Sequence, residues 1–233
     1  MKISLVSDTH NKHKHVHNNG LGDLKGGDLI IHAGDISSMG YKHEIIEFAK
    51  WFDRLDYKHK VFIAGNHDWG FERRLDDTLE DISIYESITY LQDKMRTIKD
   101  GDTVINIYGT PWQPEFYNWA FNLPKNGPGL SSKWEAIPLD TDILVTHGPA
   151  FGKLDTVEGR RQDHLGCELL AERISVVKPK IHVCGHIHTG YGYYFDGETH
   201  FFNASALNEE YMYAQKPFTF DWNPIINEIN FEI

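Results

Sequence analysis

Five short apolar runs, spread over most of the chain, each break off into aspartate, asparagine or histidine. Residues 2–6 lead into Ser7, Asp8, Thr9 and His10. Residues 28–32 lead into Ala33, Gly34 and Asp35, and residues 60–64 into Gly65, Asn66, His67 and Asp68. Residues 142–146 lead into His147, Gly148 and Pro149, and residues 180–184 into Gly185, His186, Ile187 and His188. The runs are continuous rather than alternating, the pattern of strands buried on both faces. Such strands need a helix or a second sheet on each side. In α/β sheets, ligands gather beyond the carboxyl ends of the strands, so polar run-ends far apart in sequence can converge on one crevice.

The segments between the runs agree with a layered α/β fold. Ile46, Phe48, Ala49, Phe52 and Leu55 recur at helical spacing over residues 43–55. Leu165, Leu169, Leu170, Ile174 and Val177 do the same over residues 162–177, which stop before Pro179. Asp-Gly pairs within residues 99–102 and 195–198 predict two hairpins. The expectation is an α/β chain with a late β-rich section: two stacked sheets with helices outside. No internal repeat or low-complexity linker interrupts the 233 residues, so residues 1–233 read as one domain.

A domain of this size buries roughly 70–75% of the surface its unfolded chain exposes, and needs no disulfide staples. The two cysteines, Cys167 and Cys184, form no CxxC pair, which predicts reduced thiols and a cytoplasmic location. The first apolar stretch is too short for a signal-peptide core, and no run of about 18 apolar residues predicts a membrane span. The formal charge of −11 argues against a broad face for long nucleic acid. A small phosphorylated substrate remains compatible, because bound divalent cations reverse the field locally. The sequence leaves the oligomeric state open.

The run-ends supply Asp8, His10, Asp35, Asn66, His67, His147, His186 and His188. Oxygen and imidazole donors in this mixture suit hard or borderline divalent metals, with manganese the leading choice and iron, zinc or cobalt able to serve. Seven of these eight side chains would crowd a single ion. Divided between two ions about 3.5–4 Å apart, they leave room for water and substrate, with a shared carboxylate between the ions.

The set Asp8-x-His10, Gly34-Asp35, Gly65-Asn66-His67-Asp68, His147-Gly148 and Gly185-His186-x-His188 resembles the five-part signature of the calcineurin-like metallophosphoesterases. Any one part is weak; all five in order, each after an apolar run, are specific. Further stretches are similar to the branch called metallophosphoesterase-domain-containing proteins. These are Ile107-Tyr108-Gly109-Thr110-Pro111-Trp112, Trp119-Ala120-Phe121-Asn122-Leu123-Pro124, and Tyr191-Gly192 with Asn203-Ala204-Ser205. The resemblance covers nearly the whole chain. It implies a four-layer αββα sandwich of two mixed sheets flanked by helices. It implies that Asp8, His10 and His188 bind the first metal, that Asn66, His147 and His186 bind the second, and that Asp35 bridges the two. It implies that His67 is catalytic, sitting beside the phosphate and either stabilising the transition state or protonating the leaving oxygen. Some animal members of this branch have glycine where His186 stands; this chain keeps the histidine, so a full dinuclear centre is expected.

Other features have bland readings as well as sharp ones. His13, His15 and His17 could recruit extra metal, but mixed with lysine and asparagine they read as a solvated loop. His32 and His182 lie within strands and read as core or hydrogen-bonded histidines. Asp68 either orients His67 through a hydrogen bond or caps a helix. Cys184 reads as a buried inert thiol. The aromatic stretch 112–119, with its two prolines, reads as a packed loop, and stacking of a base there is the sharper alternative. Arg160 and Arg161 read as solvated, with phosphate binding the minority alternative.

The expected activity is metal-dependent hydrolysis of a phosphoric ester by in-line attack of a metal-bridging hydroxide. A small phosphodiester or cyclic nucleotide is favoured as substrate by analogy with the family. The competing reading is a nucleotide-binding or scaffold protein with little turnover. A nuclease acting on long polymers is disfavoured by the charge.

Overall fold

A computed structural model describes residues 1–13, 24–101, 103–157 and 164–231. All five apolar runs form strands: β1 (Lys2–Val6), β2 (Gly27–His32), β3 (Tyr57–Phe62), β9 (Ile143–Thr146) and β10 (Ile181–Cys184). The first three pair in parallel and share a six-stranded sheet with β4 (Ile88–Tyr90), β13 (Phe218–Asn223) and β14 (Glu228–Phe231), in the order β14-β13-β1-β2-β3-β4. The other two pair in parallel within a second six-stranded sheet. Its order is β11-β12-β10-β9-β6-β5, where β5 is Lys94–Asp100, β6 Thr103–Thr110, β11 Gly192–Phe195 and β12 His200–Asn203. Both sheets are mixed, since β13 and β14, β5 and β11 pair antiparallel to their neighbours. Both Asp-Gly pairs mark turns between antiparallel neighbours: Asp100 closes β5 and Gly101 begins the turn to β6, while Asp196 and Gly197 lie between β11 and β12.

Three apolar layers hold four structural layers together. Ile3, Leu5, Ile31 and Val61 of the first sheet meet Ile107, Val145, Val183 and Phe202 of the second in the central layer. The outer face of the first sheet, with Ile30 and Phe62, is covered by α1 (Lys42–Asp53), α2 (Trp69–Arg73) and α3 (Leu75–Ile82) through Phe48, Phe52, Phe71 and Ile82. The outer face of the second, with Tyr108, Leu144 and Phe201, is covered by α4 (Pro128–Glu135) and α5 (Glu168–Val177). This is the αββα sandwich expected from the sequence, and it explains why the parallel strands are continuous apolar runs: both of their faces are packed.

Local departures have local causes. At α1, the Glu44 carboxylate accepts the Tyr41 backbone N–H at 3.0 Å, the return half of a capping box. The helix expected over residues 162–177 is observed only from Glu168. The N–H groups of Leu165 and Gly166 go to Asp155, and that of Cys167 to the Pro149 carbonyl, so this stretch is tied to a neighbouring loop. The aromatic stretch expected as plain loop contains a two-residue strand, β7 (Gln113–Pro114), paired in parallel with β8 (Asn122–Leu123). His13, expected in solvent, is fully buried, with its ring 5.2 Å from Trp51 and 5.8 Å from Phe48. The chain after β1 lies on the aromatic stripe of α1, which a sequence window around the histidines does not reveal. His15, His17, Arg160 and Arg161 fall outside the described residues.

The Phe62 ring packs within 5.8 Å of Phe48, Phe71 and Tyr90, at the centre of the layer between sheet and helices. Phe62→Ala is expected to destabilise the fold by about 3–5 kcal/mol in denaturant unfolding, and a loss below about 1 kcal/mol would contradict this packing.

Candidate metal centre

The carboxyl ends of β1, β2, β3, β9 and β10 meet at one place. Asp8, His10 and His188 offer ligand atoms within 4.8 Å of one another; so do His10, Asp35 and His67, and Asp8, Asp35 and His147. Asn66 Oδ1 lies 2.9 Å from His147 Nε2 and 2.8 Å from His186 Nδ1. Asp35 Oδ2 stands between the groups, 3.5 Å from His10 Nε2 and 3.4 Å from His147 Nε2. All seven residues expected to hold metal are therefore gathered here, with His67 at their edge.

Backbone geometry makes the gathering possible. Asp8, His10, Asp35 and His186 all have positive φ, at 54°, 40°, 52° and 66°. Each lies in the left-handed region that side-chain-bearing residues rarely enter, so each turns sharply as its strand ends. Two motif glycines permit close approach. A Cβ at Gly65 would stand 2.3 Å from Asp35 Oδ1, and one at Gly185 would stand 2.0 Å from Asp8 Oδ2. The glycines thus make room for the carboxylates of other motifs.

Hydrogen bonds set the imidazole tautomers. His147 Nδ1 donates to the Ala33 carbonyl at 2.9 Å, across the two sheets, and His188 Nδ1 donates to the Asn208 carbonyl at 2.9 Å. In a neutral ring the other nitrogen, Nε2, then carries a lone pair. For His147 that lone pair faces Asp35 Oδ2 and Asn66 Oδ1; for His188 it faces Asp8 Oδ1 at 3.4 Å. Acceptor would face acceptor unless a proton or a metal ion sits between them. His10 adds a further sign, because it is buried and among the described residues neither ring nitrogen has a hydrogen-bond partner. The donor set fits divalent cations.

The electrostatics express the same demand. Burial works to lower His147, but Asp35 and Asp8 outweigh it and raise the ring to about 9. Burial also opposes protonation of His188, yet its bond and attraction to Asp8 raise it to about 9. Burial works to raise Asp8 and Asp35, and the facing histidines hold both carboxylates below their ordinary range. His10 and His186, pushed down by burial to about 4 and about 3, are neutral and ready to coordinate at physiological pH.

Asp68 stands at the N-cap position of α2, one of its two sequence readings, but its carboxylate makes no capping bond, and among the described residues its hydrogen bonds do not go to His67. It accepts the backbone N–H groups of Gly65 at 2.7 Å, Ser37 at 3.0 Å and Ile36 at 3.2 Å, and the Ser37 hydroxyl at 2.5 Å. It therefore pins the loop carrying Asp35 to the loop carrying Asn66. Burial first, then the Asp35 charge, raises it to about 7 despite those donors. His67 is held otherwise: Nδ1 donates to the Ser38 carbonyl at 2.8 Å, and the ring stacks on Trp119 at 4.1 Å. His32 and His182 are buried and bonded to threonine hydroxyls, at 3.0 Å to Thr9 and 2.9 Å to Thr146, as read from sequence. Cys184 is a buried thiol against the Phe202 carbonyl.

A cavity of about 560 Å³ opens over the cluster, with His10, Asp35, Asn66, His67, His186 and His188 in its floor and wall. The aromatic stretch is part packed and part open to the cavity. Trp112 packs inward and donates to Asp93 at 2.9 Å, whereas Phe116 and Tyr117 line the cavity. Tyr211 also lines it, with its ring 4.8 Å from His10 and 5.6 Å from His188. No pattern around Tyr211 announced this, since it reaches the site only through the turn after β12.

A family model described as calcineurin-like phosphoesterase matches residues 1–190. The chain belongs to the calcineurin-like phosphoesterase family. It is 38% identical over 241 aligned positions to human metallophosphoesterase domain-containing protein 1, covering 94% of this chain and 70% of that protein. Among solved structures, phosphopantetheinyl hydrolase from Mycobacterium tuberculosis superposes with a TM-score of 0.60 at 15% identity, covering 88% of each chain. TT1561 of Thermus thermophilus does so with a TM-score of 0.63 at 12% identity, covering 98% of this chain and 96% of that one. At such identities the two structures speak for the fold alone. Calcineurin-like phosphoesterases use a dinuclear divalent metal centre, and the groups gathered here are able to hold one.

A pH dependence follows. His147 and His188, at about 9, carry protons in the metal-free protein at neutral pH, and metal must displace them. Calorimetric metal titrations in buffers of different ionisation enthalpy are expected to show release of about two protons at pH 7, falling towards none above pH 9. Because both pKa values lie above the ordinary 6.5, these groups stabilise the metal-free fold below that pH, and the contribution is lost as pH rises through about 9. Metal binding without proton release at pH 7 would contradict this electrostatic account.

Proposed function

We propose that this chain is a dinuclear metal-dependent phosphodiesterase acting on a small phosphodiester or cyclic nucleotide. The observation that carries the reading is the buried pairing of carboxylate with imidazole at Asp8–His188 and Asp35–His147 beneath an open cavity, where a proton or a cation must stand between the two groups. Asp8, His10 and His188 would hold one ion, Asn66, His147 and His186 the other, and Asp35 would serve both. When bound, the ions activate water and neutralise charge on the phosphoryl oxygens, with manganese the leading choice for oxygen and imidazole donors.

The chain's own groups do the rest. His67 donates Nδ1–H to the Ser38 carbonyl, so it is the imidazolium form of the ring that has a proton on Nε2 to give the leaving oxygen. The stack on Trp119 fixes the plane of that ring. Asp68 fixes the loops on either side. Phe116, 5.4 Å from the His186 ring, and Tyr211, beside His10, present aromatic faces to a flat organic group on the substrate. The cavity size suits a small molecule. Glu115 and Glu209 on its lining count against a polyanionic strand, in keeping with the net charge of −11. Among the described residues no helix is long and apolar enough to cross a membrane. The cytoplasm is the proposed location, on the grounds of cysteine usage.

Two variants test the roles. Asp35→Ala is expected to lose both ions in elemental analysis, whereas His67→Ala keeps them. Turnover of a cyclic nucleotide by His67→Ala is expected to fall about 10²–10⁴-fold. Bis-p-nitrophenyl phosphate should suffer less, because p-nitrophenolate leaves without a proton. Equal losses on both substrates would remove the proton-holding role. A metal-loaded wild type that binds nucleotides tightly but turns over no diester would replace the enzyme reading with a binding protein.

A further inference from the structure

Asn203 closes β12, and the chain then runs through Ala204, Ser205 and Ala206 between the ends of β1 and β10. Ser7 N–H donates to the Ala204 carbonyl and Ala206 N–H to the Ser7 carbonyl, while Ala204 N–H donates to the Cys184 carbonyl. This segment thus stitches the first sheet to the second beside the metal site. Asn203 and Ser205 are fully buried, and their polar atoms converge on metal-site groups.

The Asn203 amide settles its own orientation. Its Nδ2 faces three backbone carbonyls: Ile187 at 2.9 Å, Leu154 at 3.2 Å and Gly185 at 3.4 Å. Only the NH₂ side can face three acceptors, so Oδ1 turns to Ser205. There it receives the Ser205 backbone N–H at 3.2 Å, and the Ser205 hydroxyl lies 2.8 Å away. The Ser205 hydroxyl has one proton and two acceptors in reach, Asn203 Oδ1 and Asp8 Oδ2 at 3.0 Å. The two acceptors share that proton: Asn203 Oδ1 is the nearer, and the charged carboxylate is the stronger acceptor.

We infer that Asn203 and Ser205 are positioning residues of the metal centre. Ser205 anchors Oδ2 of Asp8, and Oδ1 is left to face His188 Nε2, where the first metal would sit. The His186 backbone N–H supports the same carboxylate, 3.1 Å from Oδ1 and 3.0 Å from Oδ2. Asn203 holds the carbonyls of Gly185 and Ile187, on either side of His186, and so fixes the loop that carries His186 and His188. One buried pair thereby couples the aspartate of the first motif to the histidines of the fifth. The inference rests on the dinuclear reading above.

The test is a calorimetric Mn²⁺ titration of the metal-stripped full chain, alongside its thermal unfolding. Ser205→Ala is expected to weaken one of two sites about 10- to 100-fold and to spare the other. Asn203→Ala is expected to weaken both, because His186 and His188 share the loop it holds. Ser4→Ala is the control: it removes an equally buried hydroxyl in β1, which accepts from Tyr57 at 2.8 Å and pairs with Thr219. It is expected to lower thermal stability and leave both Mn²⁺ affinities unchanged. Wild-type affinities in Ser205→Ala, or an equal loss of affinity in Ser4→Ala, would overturn the positioning role while leaving the dinuclear reading intact. A wild-type chain that binds no Mn²⁺ would overturn both.

Discussion

Two carboxylates, Asp8 and Asp35, lie buried side by side at the ends of neighbouring parallel strands, and among the described residues their ion-pairing partners are imidazoles. The fold is organised around that fact. Buried anions are costly unless paired, and His147 and His188 can answer only by taking up a proton or sharing a cation, because their Nδ1 protons are engaged by backbone carbonyls. The raised histidines and lowered aspartates are two views of one unmet positive charge. Family membership supplies its natural counterpart, a pair of divalent ions.

Holding these groups together strains the backbone. Four of the seven gathered side chains stand on residues with positive φ. Non-glycine residues there cost of order 1–3 kcal/mol each, and such costs persist only where surrounding structure over-determines them. The surrounding structure is the three-layered apolar packing of the sandwich, together with buried ties such as Asp68 and Asn203. The packing far from the site and the geometry at the site are therefore one problem. The helices and sheets keep the strand ends rigid, and the strand ends can then carry conformations they would not adopt alone.

The strands, both hairpins and the first helix were legible because each rests on a local signal: a continuous apolar run, an Asp-Gly pair, or a stripe at helical spacing. The convergence of the seven donor side chains was legible because each follows the end of a strand. What escaped the sequence depends on distant contacts. His13 looks solvated among lysines and asparagines, yet α1 supplies Trp51 and Phe48 to bury it. Asp68 sits beside His67 in sequence, but its carboxylate is drawn to backbone donors on the Asp35 loop. The start of α5 is delayed by Asp155, a residue outside its helical window. Tyr211 comes to the cavity from a turn with no pattern of its own.

The central claim is that these buried acceptors exist to share two cations. The most direct measurement is anomalous diffraction at the manganese edge from crystals of the wild-type chain grown with Mn²⁺. The account predicts two peaks about 3.5–4 Å apart, one beside Asp8 and His188, the other beside Asn66 and His147, with Asp35 between them. A difference map with no peak at this cluster, or with a single ion held without Asp35, would contradict it.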